Sequence, residues 1–203
     1  MNGLIVNIKR LHPDCHVPRY ATELAAGFDL VAVEDVIIAP GETALVPLGF
    51  AVEIPPGFEM QVRPRSGISL RTKLRVANAP GTVDGDFRGE VGVIVDNNAT
   101  GGNFIDYSYG LIDGRFIGDV AEGQTVECEA DYEDISVYYL IRKGDRIAQG
   151  VIAPVERVTF AVVDELSETV RGTGGFGHTG ITAESAAEGL RRVNEAARRE
   201  VNV

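Results

Sequence analysis

The segment GTVDGDFRGE, residues 81–90, is the most informative part of the sequence, and it is followed directly by the apolar stretch VGVIV. An Asp-Gly pair before apolar residues that alternate along the chain predicts a β-hairpin. A turn needs only one carboxylate, whereas this one carries Asp84 and Asp86 beside Phe87, followed by an arginine. The segment therefore offers a base, a stacking surface and an anion partner as well as a turn.

Short apolar runs between turn signals recur along the rest of the chain. Pro40-Gly41 and Pro56-Gly57 fit type II turns, in which Gly supplies a positive φ. Many short strands at this spacing predict an all-β fold, either a sandwich or a barrel. The predicted strands are Leu4–Ile8, Phe28–Val33, Val36–Ala39, Ala44–Ile54, Phe58–Arg63, Leu74–Ala77, Glu90–Val95, Ile135–Ile141 and Arg146–Val155.

The composition excludes several classes of protein. At 203 residues, 44% hydrophobic and 24% charged, the chain fits one globular domain with its own core. A net charge of −11 argues against binding a nucleic-acid duplex, which needs clustered Lys and Arg. Two cysteines imply no disulfide framework, and we see neither a signal peptide nor a membrane-spanning run. We therefore expect a cytoplasmic protein that binds neither nucleic acid nor membrane.

Other glycine-marked clusters carry Asp, Arg, Ser or Gln side chains, and they lie at Ala26–Leu30, Arg65–Gly67, Gly144–Gln149 and Arg171–Gly180. With residues 81–90 they resemble, in number and order, the five motifs of the trimeric dUTPase family, over roughly residues 24–180. The resemblance implies a jelly-roll-like barrel and a homotrimer whose active sites are shared between subunits. It also implies hydrolysis of dUTP to dUMP and pyrophosphate by attack of water on the α-phosphorus. That reaction limits uracil in DNA and supplies dUMP.

The resemblance assigns base and sugar recognition, and catalysis, to particular residues. Asp84 becomes the general base that orients the water and takes its proton. Phe87 stands where the family usually has Tyr; its flat face would exclude a ribose 2′-hydroxyl, but it lacks the phenol oxygen. Fixed backbone groups would match the donor and acceptors of uracil. The residues expected to bind the base and the sugar are Asn78, Gly81, Val83, Phe87 and Phe176.

The resemblance also predicts how the triphosphate is held. Arg65, Ser66 and Gly67, which we call the phosphate clamp, combine a charged donor, a hydroxyl and an approachable backbone N–H. Asp29 is expected to support the site by orienting its groups. Residues 168–180 resemble the mobile arm that closes over bound nucleotide. Further phosphate contacts are expected from Gln149, Arg171, Gly177 and His178. We interpret the adjacent Asp145 and Arg146 as an internal ion pair.

The implied metal is Mg²⁺, held through the substrate phosphates without a protein metal site. The crowded group of His12, Cys15 and His16 superficially resembles a set of zinc ligands. Because it surrounds Pro13 and has no obvious fourth ligand, we interpret it as a surface loop.

Residues 99–134 interrupt the chain between the third and fourth motifs. Their strand-like pieces, Asn103–Tyr109, Gly114–Ile117 and Thr125–Glu129, predict an inserted hairpin or small subdomain. Either this is a tolerated surface loop, or it is an interaction element that binds a protein partner. Insertions at this place resemble those of some phage members, which would place the enzyme in the host cytoplasm.

The last residues predict a helix in a C-terminal extension, 181–203, beyond the dUTPase-like domain of residues 1–180. Ala186, Leu190 and Val193 recur at helical spacing within 183–201. Because the stripe is narrow and rich in alanine, such a helix is marginal alone. It either docks on its own trimer or forms a solvated tail.

Two other functions compete with dUTP hydrolysis. A dCTP deaminase would need a catalytic Glu on the strand after the third motif, where this chain has Val95-Asp96. A regulatory protein could use the same fold, and the insertion above all, to bind a protein partner. The intact Asp84 favours an active enzyme, although activity and partner binding are compatible.

Overall fold

The structure is a computed structural model that describes residues 3–99, 107–118, 126–128, 136–176 and 191. The chain divides into two compact units, Met1–Arg157 and Val158–Val203. Every strand of the described residues lies in the first unit. Within these described stretches, no helix has the length and apolar character needed to cross a membrane.

The described chain is made of strands and one short helix, so the predicted all-β class is confirmed. The elements are β1 Asn7–Arg10, β2 Phe28–Val31, β3 Val36–Ile38, β4 Thr43–Pro47, β5 Phe50–Glu53, β6 Phe58–Pro64, α1 Ser66–Arg71, β7 Leu74–Val76, β8 Gly81–Val83, β9 Gly92–Asn97, β10 Tyr107–Leu111, β11 Phe116–Gly118, β12 Val126–Cys128, β13 Ser136–Ile141 and β14 Arg146–Pro154.

The strands form four sheets that share one core. Their orders are β1-β5, β2-β14-β6-β8, β4-β9-β7 and β12-β11-β10-β13-β3. Each sheet contributes fully buried side chains to the same apolar cluster, among them Leu30, Ile38, Val46 and Phe50. Burying one such side chain stabilises the fold by roughly 1.5–3 kcal/mol, so this cluster carries the main stabilising term.

A buried amide fastens two of these sheets together. Asn97, at the end of β9, has no exposed surface. Its Nδ2 donates to the carbonyl oxygens of Ile38, at 3.0 Å, and Val137, at 2.8 Å. Its Oδ1 accepts a hydrogen bond from the backbone N–H of Ala99. Because every polar atom of the amide is satisfied, this buried group costs little and fixes β9 against β3 and β13.

The predicted hairpin at Asp84-Gly85 is wrong. β8 pairs with β6, whereas β9 pairs with β4 and β7, so the segment between them crosses from one sheet to another. A two-residue type I′ turn needs positive φ at both central residues, and Gly85 is not among the glycines with positive φ. The backbone instead turns locally, with Phe87 N–H donating to the Asp84 carbonyl at 3.1 Å.

Other boundaries also differ from the sequence prediction. The run Ala44–Ile54 forms two strands, because the chain bends at Gly49, whose φ is +72°. A Cβ at Gly49 would lie 2.8 Å from side-chain atoms of both His12 and Val33, so only glycine fits there. The first strand begins at Asn7 rather than Leu4. Helix α1 and strand β8 were not predicted, since six and three residues are too few to show a period.

Each strand-like piece of the insertion contains a strand among its described residues, although β10 and β11 end beyond the predicted pieces, at Leu111 and Gly118. β10, β11 and β12 make an antiparallel meander, and β10 pairs in parallel with β13. The insertion therefore widens a sheet of the core unit through backbone hydrogen bonds. The predicted C-terminal helix over 183–201 lies outside the described residues, except for Arg191, which is helical.

Candidate active site

An ion cluster on Asp29 organises the phosphate side of the site. β2 and β14 pair antiparallel with Asp29 opposite Gln149. Arg65 Nη1 donates to one carboxylate oxygen of Asp29, and Arg146 Nη1 donates to the other at 3.3 Å. The predicted partner of Arg146 was Asp145, but the Asp145 carboxylate instead accepts the backbone N–H of Arg142 at 2.8 Å. Asp29 thus orients two guanidinium groups, Arg65 and Arg146, at the end of the sheet where β6 ends and β14 begins.

The phosphate clamp lies at the junction between β6 and α1. Arg65 is the last extended residue, and its partly buried side chain is turned to Asp29. Burial lowers the pKa of the Arg65 guanidinium and the nearby charge of Arg146 lowers it further, yet an arginine remains charged at neutral pH. A Cβ at Gly67 would meet no protein atom within 4 Å, so the backbone there is open to a ligand.

Gln149 lies beside the clamp and is held by the neighbouring strand. Its Nε2 donates to the carbonyl oxygen of Pro64 at 2.9 Å. A Cβ at Gly27 would lie 2.8 Å from Gln149 Oε1, so the glycine of the first motif leaves the space that this side chain occupies. Gln149, Asp29 and Arg65 therefore come together as the sequence predicted.

A second pocket collects the residues expected to bind base and sugar. Its lining includes Asn78, Gly81, Val83, Asp84 and Phe87, and we call these five residues the base pocket. A Cβ at Gly81 would lie 3.1 Å from Asn78 Nδ2 and 3.2 Å from Asn78 Oδ1, so the amide rests on the backbone of Gly81. The pocket thus offers a side-chain amide, backbone groups and a carboxylate in one lining.

Phe87 is a wall of this pocket and not a core residue. The residue is 43% exposed. A Cβ at Gly89 would come within 2.5 Å of Phe87 Cζ, so the ring lies over that glycine. Arg88, expected as an anion partner, donates to the carbonyl oxygens of Gly85 and Phe87, at 2.8 and 2.9 Å, and its guanidinium also pairs with the Glu53 carboxylate at 3.7 Å. It secures the turn that carries Asp84.

Asp84 lies far from the clamp within one chain, whereas Gly81 of the base pocket lies opposite Val62, closer to it. Val83 lies opposite Met60 on β6, which sets Asp84 beside Glu59. The clamp begins at Arg65, six extended residues further along. At about 3.3 Å per residue, this separates Asp84 from the clamp by roughly 20 Å.

Comparison with known proteins identifies the family of this chain. The dUTPase family model matches residues 14–106 and 131–180. The chain belongs to the dUTPase family. The match breaks at residues 107–130, which contain β10, β11 and β12, so an insertion relative to the family is confirmed inside the predicted range.

Curated dUTPases from several bacteria are similar to this chain along most of its length. The deoxyuridine 5′-triphosphate nucleotidohydrolase of Nautilia profundicola is 41% identical over 175 residues, covering 86% of this chain and 98% of the relative. That of Anaeromyxobacter sp. is 45% identical over 168 residues, covering 83% and 90%.

Solved structures of phage dUTPases share the fold. The Staphylococcus bacteriophage 80alpha dUTPase with dUpNHpp has a TM-score of 0.74 and 28% identity, covering 87% of this chain and 99% of its own. The dUTPase from phage phi11 of S. aureus, in which a species-specific insert was visualised, has a TM-score of 0.67 and 26% identity, covering 81% and 99%. The predicted dUTPase-type barrel is thereby confirmed.

The fifth dUTPase motif lies in the second unit. Arg171 Nε donates to the carbonyl oxygen of Gly174 at 2.8 Å, which closes a local turn. Phe176 is fully exposed. Gly177 and His178 lie outside the described residues.

Two residues near Asp29 have contacts that were not predicted from the sequence. Arg146 was treated as half of an internal pair, although it shares Asp29 with Arg65. Gly27 was only part of a motif, although it makes room for Gln149. In both cases the deciding signal is the pairing of β2 with β14, which a single sequence does not display.

Proposed function

We propose that this dUTPase hydrolyses dUTP to dUMP and pyrophosphate, with Asp84 as general base. The observation that carries the assignment is the base pocket, in which the Asp84 carboxylate shares one lining with Asn78, Gly81 and Phe87. A water oxygen bonds to the α-phosphorus while the bond from that phosphorus to the bridging oxygen breaks. The proton of the water passes to the Asp84 carboxylate, and pyrophosphate leaves.

Base and sugar selection follow from the shape of this pocket. The Asn78 amide, with backbone groups of Gly81 and Val83, can complement the N3–H donor and carbonyl acceptors of uracil, whereas cytosine reverses part of that pattern. We also expect this pocket to exclude the 5-methyl group of thymine. The face of Phe87 lies under the sugar and excludes a ribose 2′-hydroxyl by contact.

Each complete site is shared between subunits of a homotrimer. Asp84 must reach the α-phosphorus while the clamp holds the same triphosphate, yet the two lie roughly 20 Å apart in one chain. A base pocket from one subunit beside a clamp from another removes this conflict. A cyclic trimer repeats the arrangement three times.

The clamp, Gln149 and the arm hold the phosphates. Arg65 and Ser66 supply a charged donor and a hydroxyl, and Gln149 adds a neutral donor once its amide turns to the substrate. From the fifth motif, Arg171, Gly177 and His178 bind phosphate while Phe176 stacks on uracil. The full exposure of Phe176 is compatible with this role.

Magnesium fits this site through the substrate and not through a protein cage. Both carboxylate oxygens of Asp29 are engaged by arginines, and no three His, Cys, Asp or Glu side chains among the described residues are grouped to hold a metal. Phosphate oxygens and water are ligands that Mg²⁺ accepts readily. When bound there, the ion neutralises phosphate charge, while Arg65 and Ser66 hold the phosphates in place.

A substrate panel with Mg²⁺ tests the assignment. Pyrophosphate release is expected from dUTP and only marginally from dTTP, dCTP or UTP. Comparable turnover of dCTP would reject the base-recognition argument and revive the deaminase alternative, in which ammonia would appear. Comparable turnover of UTP would reject the role of Phe87.

A protein partner at the insertion is a second proposed function. The insertion fills the break in the family match, and β12 is the edge strand of its sheet. Strand edges present backbone groups on which another chain can pair. A pull-down that compares the full protein with one carrying a short turn in place of residues 107–130 tests this. Equal recovery of partners by both proteins would reject it.

A further inference from the structure

The turn between β10 and β11, residues 112–115 of the insertion, lies against helix α1. Ile112 is partly buried and lines the same cleft as Arg65 and Ile68. Gly114 has a φ of +88°, and a Cβ there would lie 3.0 Å from Arg71 Cβ and 3.2 Å from the Arg71 carbonyl oxygen. The insertion therefore meets α1, the six-residue helix that contains Ser66 and Gly67 of the clamp, through the backbone of Gly114 at the last helix residue and through the cleft that Ile112 shares with Ile68.

A buried tyrosine makes a second link from the insertion to the same region. Gly110 of β10 lies opposite Tyr139 of β13, and a Cβ at Gly110 would come within 2.6 Å of the Tyr139 ring. The Tyr139 hydroxyl accepts a hydrogen bond from the backbone N–H of Lys73 at 3.0 Å. Strand β10 thus packs on the ring that fixes the chain just after α1.

Helix α1 has little to hold it in place by itself. It has six residues, none of them fully buried, and no side chain caps its first turn. Isolated helices of this length are unstable, so packing against neighbours sets their position. Ile68 is the helix residue that packs on the core cluster, and Ile112 lies across the cleft from it.

We propose that the insertion positions the phosphate clamp by bracing α1. Ile112 and Gly114 are positioning residues, since they touch the helix and not the nucleotide. Removing the brace lets α1 shift, and Ser66 and Gly67 shift with it because they form the first turn of the helix. This inference rests on the proposed function, in which the clamp binds the triphosphate.

The test uses Ile112→Ala and Gly114→Ala in the full chain. The probe is dUpNHpp, a non-hydrolysable dUTP analogue, whose Kd is measured by calorimetry alongside kcat and KM for dUTP. We expect the Kd and KM to rise about tenfold, less than the ~10²-fold that a 1 Å misplacement can cost. The kcat should change by less than about threefold, since catalytic groups stay intact at saturation.

Three controls separate positioning from general loss of packing. Ile112→Val keeps most of the side chain and should restore analogue binding. Val6→Ala removes partly buried apolar surface that packs on the same core cluster but does not line the cleft at α1, and should lower Tm without changing the Kd. Unchanged Kd in both Ile112→Ala and Gly114→Ala would overturn the proposal, as would an equal rise in Val6→Ala. If one test variant fails to fold, the other decides.

A direct clamp variant distinguishes failure of this inference from failure of the proposed function. Ser66→Ala should weaken dUpNHpp binding whether or not the insertion braces the helix. If Ser66→Ala weakens binding and neither insertion variant does, the positioning role is wrong and the clamp stands. If Ser66→Ala also binds normally, the clamp assignment is wrong and the inference falls with it.

Discussion

Side chains hold the phosphate clamp together, whereas glycines and backbone groups shape the base pocket. Asp29 gathers Arg65 and Arg146 by charge, and these groups come from three separate strands or strand ends. In the base pocket, Asn78 rests on Gly81, and both belong to one short stretch of chain. The clamp can therefore lose orientation by a change of charge, and the pocket can lose shape by addition of a single methyl group.

Asp84 and Arg65 also lie toward opposite ends of β6. Asp84 follows Val83, which lies opposite Met60, and Arg65 follows Pro64, the last residue of β6.

Asp84→Asn should abolish most turnover while leaving the clamp untouched. The amide is nearly isosteric with the carboxylate but cannot take the proton of the attacking water. We expect kcat to fall by roughly 10²–10⁴, the usual contribution of a positioned base, with dUpNHpp binding retained. Turnover near that of the unaltered protein would assign the base elsewhere, with Asp86 and Asp29 the next residues to substitute.

Mixed trimers test whether the two halves of a site come from different subunits. Asp84→Asn and Arg65→Ala subunits are each expected to form inactive trimers. When equal amounts assemble at random, roughly three quarters of trimers are mixed, and each regains one intact site of three. Recovery of about one quarter of the full activity is therefore expected.

The control for the mixing experiment pairs Asp84→Asn subunits with subunits that carry both substitutions. No arrangement of that pair restores a site, so no activity should return. If the Asp84→Asn and Arg65→Ala mixture also stays inactive although mixed trimers are isolated, the site is built within one chain.

Asp29→Asn should weaken the clamp without unfolding the protein. The amide cannot hold two guanidinium groups, so Arg65 and Arg146 lose their common orientation. We expect kcat/KM to fall by about 10–10²-fold, while Tm changes little because partly exposed ion pairs add roughly 1 kcal/mol or less. Asp14→Asn is the matched control, since Asp14 pairs with Lys143 on the surface at 2.6 Å. Equal losses of activity in both would refute a specific role for Asp29.

Gly81→Ala should distort the base pocket through a steric contact, without any change of charge. The added Cβ would lie 3.1–3.2 Å from the Asn78 amide and push it by a few tenths of an ångström. We expect KM for dUTP to rise several-fold, roughly the cost of one imperfect hydrogen bond, with kcat little changed. Gly3→Ala is the control, because a Cβ there meets nothing within 4 Å. An unaltered KM in Gly81→Ala would show that the Asn78 amide does not read the base.

The sequence contains the residues of both regions but not the strand pairing that groups them. Asp84, Arg65 and Gln149 could be predicted because each stands in a short motif with its own chemistry. The hairpin was mispredicted because β8 pairs with β6, a strand some twenty residues earlier. Turn residues in the sequence indicate only pairing between neighbouring strands. Arg146 was given the wrong carboxylate for the same reason: the register of β14 with β2 brings Asp29 to it.

Phe87→Tyr should have the smallest effect, and it isolates the ring face from the phenol oxygen. Phe87 is 43% exposed and its Cζ is the ring atom nearest to Gly89, so a hydroxyl on Cζ would lie beside that glycine and not in the core. If the flat face alone excludes ribose, kcat/KM for dUTP should stay within about threefold and the preference over UTP should persist. Phe87→Ala removes the face and should raise UTP turnover relative to dUTP. A large gain in dUTP selectivity from Phe87→Tyr would mean that an oxygen at this position contributes to sugar recognition. In that case the base pocket, like the clamp, would depend on a polar side chain for its specificity.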